Sequence, residues 1–434
     1  MDFRKYVGFF LVFACCTLQS LVTLADEGMT PDDWYQQGLE LYAAGEYSQA
    51  RHWYELAAIQ EHAAAQDKLG SLYALAEGVE RDYAKALHWY EQAAAQGNAN
   101  AQRNLGSMYF AGLGVEVDYT KSYHWQEQAA AQGNAKAQFS LGSLYRYGNG
   151  VELDYGKARH WYEQAAAQGE PQGEFSLGTL YRDGLGVRRD YQKALQLFER
   201  AALQGYDSAQ FSLGALYHQG PGGIRDYAQA HHWYTLAAAQ DHASAKANLG
   251  VLYSRGLGVE RDMDQARYWT EQAAEQGETR AQYNLAETYM MNSDASDQDK
   301  ELARSWYAKS AAQGFASAQY AMGVLAARDE DFVGARQWYE QAAAQGHAYA
   351  QLLVGNMYVQ GLGGAVDMEK AYHVFEQSAR SNARAKYKLG LMHERGYAVK
   401  ADLKAAQGWF DKACREGDQR ACDAMAGEGE GTAD

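Results

Sequence analysis

Histidine is the residue that general-base and metal chemistry would use, and here it recurs at one place. His52, His88, His124, His160 and His232 each stand directly before a tryptophan, and His373 stands before Val374. Metal binding requires ligand nitrogens gathered on bonds of about 2 Å. Consecutive members of this series are mostly 36 residues apart. If each belongs to its own structural unit, its neighbours lie on the order of 20 Å away, about two helix widths. Such a ladder cannot chelate one ion, and the adjacent His231 and His232 point apart on a helix. No H-E-x-x-H, G-x-S-x-G or G-x-x-x-x-G-K-[ST] occurs, nor an S-x-x-K to pair a serine with a base. The Gly-x-Gly segments recur at the same interval and follow no strand, so they are not dinucleotide loops. The residues point to no metal, cofactor or catalytic group. They point to a repeat.

Residues 101–133, AQRNLGSMYFAGLGVEVDYTKSYHWQEQAAAQG, define the unit. Alignment on the glycine of the LG pair runs Gly38, Gly70, Gly106, Gly142, Gly178, Gly214, Gly250, Ala286, Gly323, Gly355 and Gly390. A second series runs from Trp53 to Trp409, with Leu197 and Val374 as departures. A fixed period of roughly 20–50 residues marks a solenoid, in which each unit buries its apolar face on its neighbours.

Each unit reads as two helices. Ala101, Leu105 and Met108 are spaced as one buried face of the first. Tyr119, Ser122, Trp125 and Ala129 repeat that pattern in the second. An acid stands seven residues before the tryptophan position in every unit: Glu46, Asp299 in the eighth, and Asp elsewhere. It is placed to cap the second helix. Gly97, Gly133, Gly169, Gly205, Gly277, Gly314, Gly346 and Gly417 suit the left-handed residue that ends that helix. Gly-x-Gly pairs such as Gly112 and Gly114 supply the turn between helices. Small residues at three recurring positions let helices approach while aromatic side chains fill the gaps.

The pattern A-x-x-x-L-G-x-x-Y, then G-x-G-V-x-x-D-Y-x-K-A-x-x-W-Y-x-x-A-A-x-Q-G, resembles the Sel-one-like repeat, a relative of the tetratricopeptide repeat with a longer inter-helix turn. The resemblance covers residues 31–426. It implies an all-α, right-handed superhelical solenoid of about eleven helix-turn-helix repeats, and a family of scaffolds and adaptors. Units one and nine lack the glycine loop and look like ordinary tetratricopeptide hairpins. Unit eight carries a longer polar turn, so the superhelix is expected to hinge or change pitch at units eight and nine; neutral drift of the loop is the alternative.

Residues 1–25 have the layout of a secretory signal: basic Arg4 and Lys5, an apolar core, then Thr23-Leu24-Ala25 before Asp26. Cleavage after Ala25 gives an exported, periplasmic chain with no further apolar run able to span a bilayer. An uncleaved anchor and lipidation at Cys15 remain alternatives. Cys15 and Cys16 leave with the signal, and Cys414 and Cys422 remain. Their separation lets a disulfide staple consecutive helices in an oxidising compartment, and cysteine pairs of this spacing are similar to those of cysteine-rich bacterial members of the family. Residues 427–434, rich in glycine and acid, read as a disordered tail.

A formal charge of −16 argues against nucleic acid as a partner. Distribution says more than the total. By analogy with tetratricopeptide repeats, a concave groove is lined by the first helix one, four and five residues after the glycine. Arg146, Tyr147, Arg182, Asp183, His218, Gln219 and Arg255 stand there. Such a basic, aromatic stripe suits an extended peptide or a partner's carboxylates. The reading is a non-enzymatic exported scaffold for a protein or peptide. A peptidoglycan-associated assembly factor and a secreted factor acting on a host protein are alternatives. Some cysteine-rich relatives are linked with weak β-lactam binding, which implies an enzyme reading that the missing S-x-x-K disfavours.

Overall fold

The computed structural model describes residues 28–290 and 296–426. The signal reading, the tail reading and most of the long turn of unit eight lie outside them. The described residues form 23 α-helices and one 3-10 turn, with no strand. Most helices are 13 residues long, from Pro31–Ala43 through Ala99–Ala111 and Tyr119–Ala131 to Leu403–Arg415. By contacts the chain divides into two compact units, residues 1–213 and 214–434, with the boundary inside the helix Asp207–Gln219.

Within residues 28–213 the repeats are regular. In repeats two to five an aspartate caps the second helix: Asp82, Asp118, Asp154 and Asp190 accept from Lys85, Lys121, Lys157 and Lys193 backbone N–H groups at 2.9–3.0 Å. Glu46, in repeat one, does not cap. Its longer carboxylate accepts instead from the Gln49 side chain, and the helix Tyr47–Ile59 starts without a side-chain cap. Every glycine expected to end a second helix has a positive φ, between 77° and 93°. The second glycine of the turn has a further job. A β-carbon on Gly150 would lie 2.4 Å from the Tyr119 carbonyl oxygen, because the turn lies flush against the preceding repeat.

Packing within a repeat rests on the residue after the tryptophan. Tyr90 and Tyr162 lay their rings over Gly70 and Gly142, where a β-carbon would meet ring carbons at 2.6–2.7 Å. These two tyrosines are buried, whereas Trp53, Trp89, Trp125 and Trp161 are only partly so. The tryptophan series marks the register; its neighbour fills the core.

A glutamine relay joins successive repeats. The Gln102 amide donates to the Ala94 carbonyl at the end of the preceding repeat, and its oxygen accepts from Gln132 at 2.7 Å. Gln66 and Gln138 do the same with Ala58 and Gln96, and with Ala130 and Gln168. These amides are buried, and each bond prevents the roughly 1–3 kcal/mol penalty of an orphaned group. At repeat five the relay residue is Glu174, which cannot donate to the Ala166 carbonyl. Arg200 does so at 3.0 Å, pairing with Glu174 as well.

Within residues 214–434 the same hairpins recur with more departures. Repeat nine has a short turn, as repeat one does in the first unit and as both sequences require: residues 329–331 join Ala316–Arg328 to Phe332–Ala344, and residues 44–46 join Pro31–Ala43 to Tyr47–Ile59. In repeat eight Asp299 is not the N-cap. Ser296 is, and Asp299 three residues on completes a capping box with it. Relays persist across repeats seven to nine: Gln282 donates to Ala274 and accepts from Gln313, and Gln319 donates to Ala311 and accepts from Gln345. Lys246 and Lys386 replace the glutamine elsewhere, pairing with Asp241 at 2.5 Å and with Glu416. Asp241 stands at a left-handed position, φ 68°, that glycine holds in most repeats. Cys414 and Cys422 form a disulfide between Leu403–Arg415 and Gln419–Ala426, their Cα atoms 4.8 Å apart.

Candidate partner-binding surface

The residues singled out by the stripe fall at the C-terminal ends of first helices. In the first unit, Arg146 and Tyr147 close the helix Ala135–Tyr147. Tyr147 is 63% exposed, and the Arg146 guanidinium lies 5.2 Å from its ring centroid. Arg182 and Asp183 close Pro171–Asp183, and the guanidinium grips the adjacent carboxylate through Nε at 2.7 Å and a second nitrogen at 2.9 Å. Those bonds hold the Asp183 carboxyl below the usual carboxylate range, with Arg146 and Arg189 adding smaller attraction. So Arg146, Arg182 and Asp183 share one electrostatic neighbourhood. Arg182 is already half-committed to Asp183, while Arg146 has no ion pair among the described residues.

In the second unit His218 is partly buried. Its ring stands edge-on to Tyr227 and Tyr234, and Nδ1 lies 3.4 Å from the Tyr234 hydroxyl. Burial, then the charges of Arg255 and Arg225, pushes its pKa down, so the imidazole is neutral at neutral pH. It acts as a wall of the Tyr234 site and not as a cation. Gln219 is exposed, with its carbonyl accepting from Arg225 at 2.9 Å. Arg255 is exposed at the end of Ala243–Arg255 and lines a cleft of about 390 Å³ with Arg267, Thr270 and Glu287. The sequence reading missed that cleft. A larger hollow of about 690 Å³ lies among Tyr349, Arg384, Asp418 and Arg420, where Arg420 is bidentate on Asp418.

The histidine ladder is accounted for by packing. His52, His88, His124, His160 and His232 are exposed and lie edge-on to the next tryptophan at 5.0–5.9 Å. A second set, His62, His242 and His347, caps first helices by accepting backbone N–H groups at 3.1–3.3 Å. Their signal was the shared place with Asn98 and Asn134, which cap in the same way. Among the described residues no three His, Cys, Asp or Glu side chains gather as a metal site, and no helix is long and apolar enough to cross a membrane.

The Sel1 repeat family model matches eleven consecutive segments, from 28–62 and 63–98 through to 348–382 and 383–418. The chain belongs to the Sel1 repeat family. It is similar to c5321, a protective antigen present in uropathogenic Escherichia coli strains and displaying an SLR fold. That structure is 34% identical, with a TM-score of 0.71 over 95% of this chain and 90% of its own. A Sel1 repeat protein from Oxalobacter formigenes is also 34% identical, with a TM-score of 0.52 over 56% of this chain and 99% of its own. No curated protein matches the sequence. Sel1 repeat proteins are typically non-enzymatic scaffolds, and the repeat fold is one commonly used for protein interaction. In this Sel1 repeat chain the glutamine relay and the ring-on-glycine packing occupy the interior. At the ends of first helices Tyr147 and Arg255 are exposed and Arg146 is half-exposed.

Proposed function

We propose that this Sel1 repeat chain is an exported, non-enzymatic scaffold that holds a protein or peptide partner at the ends of its first helices. One observation carries the reading. Four or five residues after the glycine, repeats four, five and seven present exposed or half-exposed Arg146, Tyr147, Arg182 and Arg255, although the whole chain is strongly acidic. Arginine forks recognise carboxylates bidentately, and Tyr147 adds an exposed ring for contact. Export is supported by the basic and apolar layout of residues 1–25, by the Cys414–Cys422 bridge, and by likeness to a protein described as a protective antigen.

Charge reversal at Arg146 tests the site, since it breaks no ion pair among the described residues. Arg146→Glu is expected to weaken capture of the partner from the cell envelope while leaving helicity and melting unchanged. Unchanged capture removes Arg146 from the site. Cell fractionation and the mass of the mature chain test export: a full-length protein in the cytoplasm overturns it. Stoichiometric labelling by a fluorescent penicillin would replace the scaffold reading with an enzymatic one.

A further inference from the structure

Nine of the eleven repeats place an aromatic ring after the tryptophan position: Tyr54, Tyr90, Tyr162, Phe198, Tyr234, Tyr307, Tyr339, Phe375 and Phe410. Where the repeat's small residue is glycine the ring lies over it, as Tyr234 lies over Gly214 and Tyr339 over Gly323. In repeats one, four, five, eight, nine and eleven a second ring, three residues before that small residue, packs on the first. Phe175 with Phe198 and Tyr283 with Tyr307 are examples, at 5.4 and 5.7 Å between centroids. The seventh repeat has neither ring. Thr270 stands at one place and Ala247 at the other.

Thr270 does not replace the ring. Its hydroxyl turns back to the Ala266 carbonyl of its own helix at 2.7 Å and covers only the spot directly over Gly250. Beyond it opens the cleft of about 390 Å³, lined by Gly250, Ser254, Arg255, Arg267, Tyr283 and Glu287. That volume lies within the roughly 300–1,000 Å³ of small-ligand sites. The chemistry of the lining is specific. Ser254 stands four residues after Gly250, as His218 stands four after Gly214, and His218 is the group that meets the Tyr234 hydroxyl. Arg255 and Arg267 are exposed at the rim, and neither is in an ion pair among the described residues. Glu287 already receives the Tyr307 hydroxyl. The cleft therefore has room for a ring, a Ser254 oxygen that can accept from a phenol while its own proton goes to the Val251 carbonyl at 3.0 Å, and two guanidinium groups for carboxylate.

We propose that this cleft takes a tyrosine or phenylalanine side chain from an acidic segment of the partner protein, whose ring fills the space that Thr270 leaves while its neighbouring carboxylate meets Arg255 or Arg267. The proposal rests on the scaffold reading and names the chemistry of what is held. The chain's own rings over Gly214 and Gly323 show that this niche geometry accepts such a side chain.

The probe is the capped dipeptide N-acetyl-Tyr-Glu-amide, titrated onto the full mature chain and followed by ligand-observed NMR. Binding is expected in the millimolar range, with N-acetyl-Ala-Glu-amide and N-acetyl-Tyr-Lys-amide each weaker by about tenfold, the equivalent of 1.4 kcal/mol. Thr270→Tyr supplies the ring in cis. It should raise the melting temperature and cut affinity for the dipeptide at least about tenfold; Thr270→Phe is the second variant should the first pack poorly. The pair Arg255→Ala and Arg267→Ala should abolish the preference for glutamate over lysine without moving the melting temperature. No binding by the wild-type chain, or equal binding by both ring variants, overturns the proposal. In the capture assay, a Thr270→Tyr chain that holds its partner as well as wild type, beside a weakened Arg146→Glu chain, overturns the cleft and leaves the scaffold reading standing. Failure of wild type to capture any protein overturns the scaffold reading instead.

Discussion

Repeats three and seven lack the same pair of rings and solve the loss in opposite ways. In repeat three Arg103 and Gln126 stand where the rings would be. Gln126 is long enough to lie over Gly106, is only 2% exposed, and donates to the Arg103 carbonyl at 3.1 Å and toward Ser107 at 3.4 Å. The repeat closes, although the Gln126 side-chain oxygen is buried without a partner. In repeat seven the short, branched Thr270 bonds to its own helix, and the space stays open. Reach decides the outcome more than polarity does. A polar side chain as long as a ring seals a hairpin, and a short one leaves a cleft.

The largest effect that breaks the comparison comes from making a regular repeat resemble the seventh. Tyr162→Thr removes a fully buried ring from over Gly142, and its cost is expected at about 3–5 kcal/mol. Because solenoid repeats unfold partly independently, hydrogen exchange should quicken first in Ala135–Tyr147 and Tyr155–Ala167. Protection unchanged there would mean the ring does not hold the hairpin. Removing the Cys414–Cys422 bridge, as Cys414→Ser with Cys422→Ser, is a control outside both repeats and should cost about 2–4 kcal/mol. Its exchange signature belongs in Gln419–Ala426, with repeats three and seven silent.

A smaller change sharpens the comparison directly. Gln126→Thr should cost about 1–3 kcal/mol, since it removes a buried side chain and its bond to Arg103. It should also open a cleft in repeat three that lacks the Arg255 and Arg267 pair. That cleft is expected to bind p-cresol, the tyrosine side-chain analogue, without preference for an added carboxylate. Equal preference in both repeats would show that the rim arginines do not read charge.

The smallest expected effect is pH dependence at a cap. His347 accepts the Ala350 N–H through Nδ1, which needs the neutral ring, and stacks on Tyr320 at 4.7 Å. Burial lowers its pKa below the ordinary 6.5. The unfolded chain then binds the proton more readily, so stability is full above that ordinary value and is lost as pH falls through the lowered one. The melting temperature should drop as pH falls below about 6.5, and His347→Asn, which keeps a capping oxygen, should flatten part of that slope. An identical slope in the variant would assign it to other groups.

Much of the fold was legible because a period of 36 residues leaves helical hairpins as the only economical reading, and the terminating glycines fell where left-handed residues were required. Less legible was which bulky residue fills the core. Tryptophan is the more conspicuous marker, yet the residue after it points at the glycine, a distinction of 100° around a helix that spacing alone blurs. The glutamine relay was invisible in one unit, since Gln66 and Gln96 meet only after the hairpin closes. Of the stripe, position on the first helix was readable and charge was not. Arg182 bends to its neighbour Asp183, and His218 is held neutral by burial beside Tyr234. The cleft at Thr270 is an absence, and whether an absent ring leaves a hole or is refilled depends on the length of its substitute.

The relay residues set terms for how such a chain could gain or lose modules. Between repeats joined by paired amides, excision or duplication in register leaves every buried donor with an equivalent acceptor. Repeat seven is different, because its Lys246 draws its counter-charge from Asp241 at the close of repeat six. Moved next to a repeat that ends in glycine at that place, it would carry a buried ammonium with no anion to meet it, so six and seven are expected to travel together.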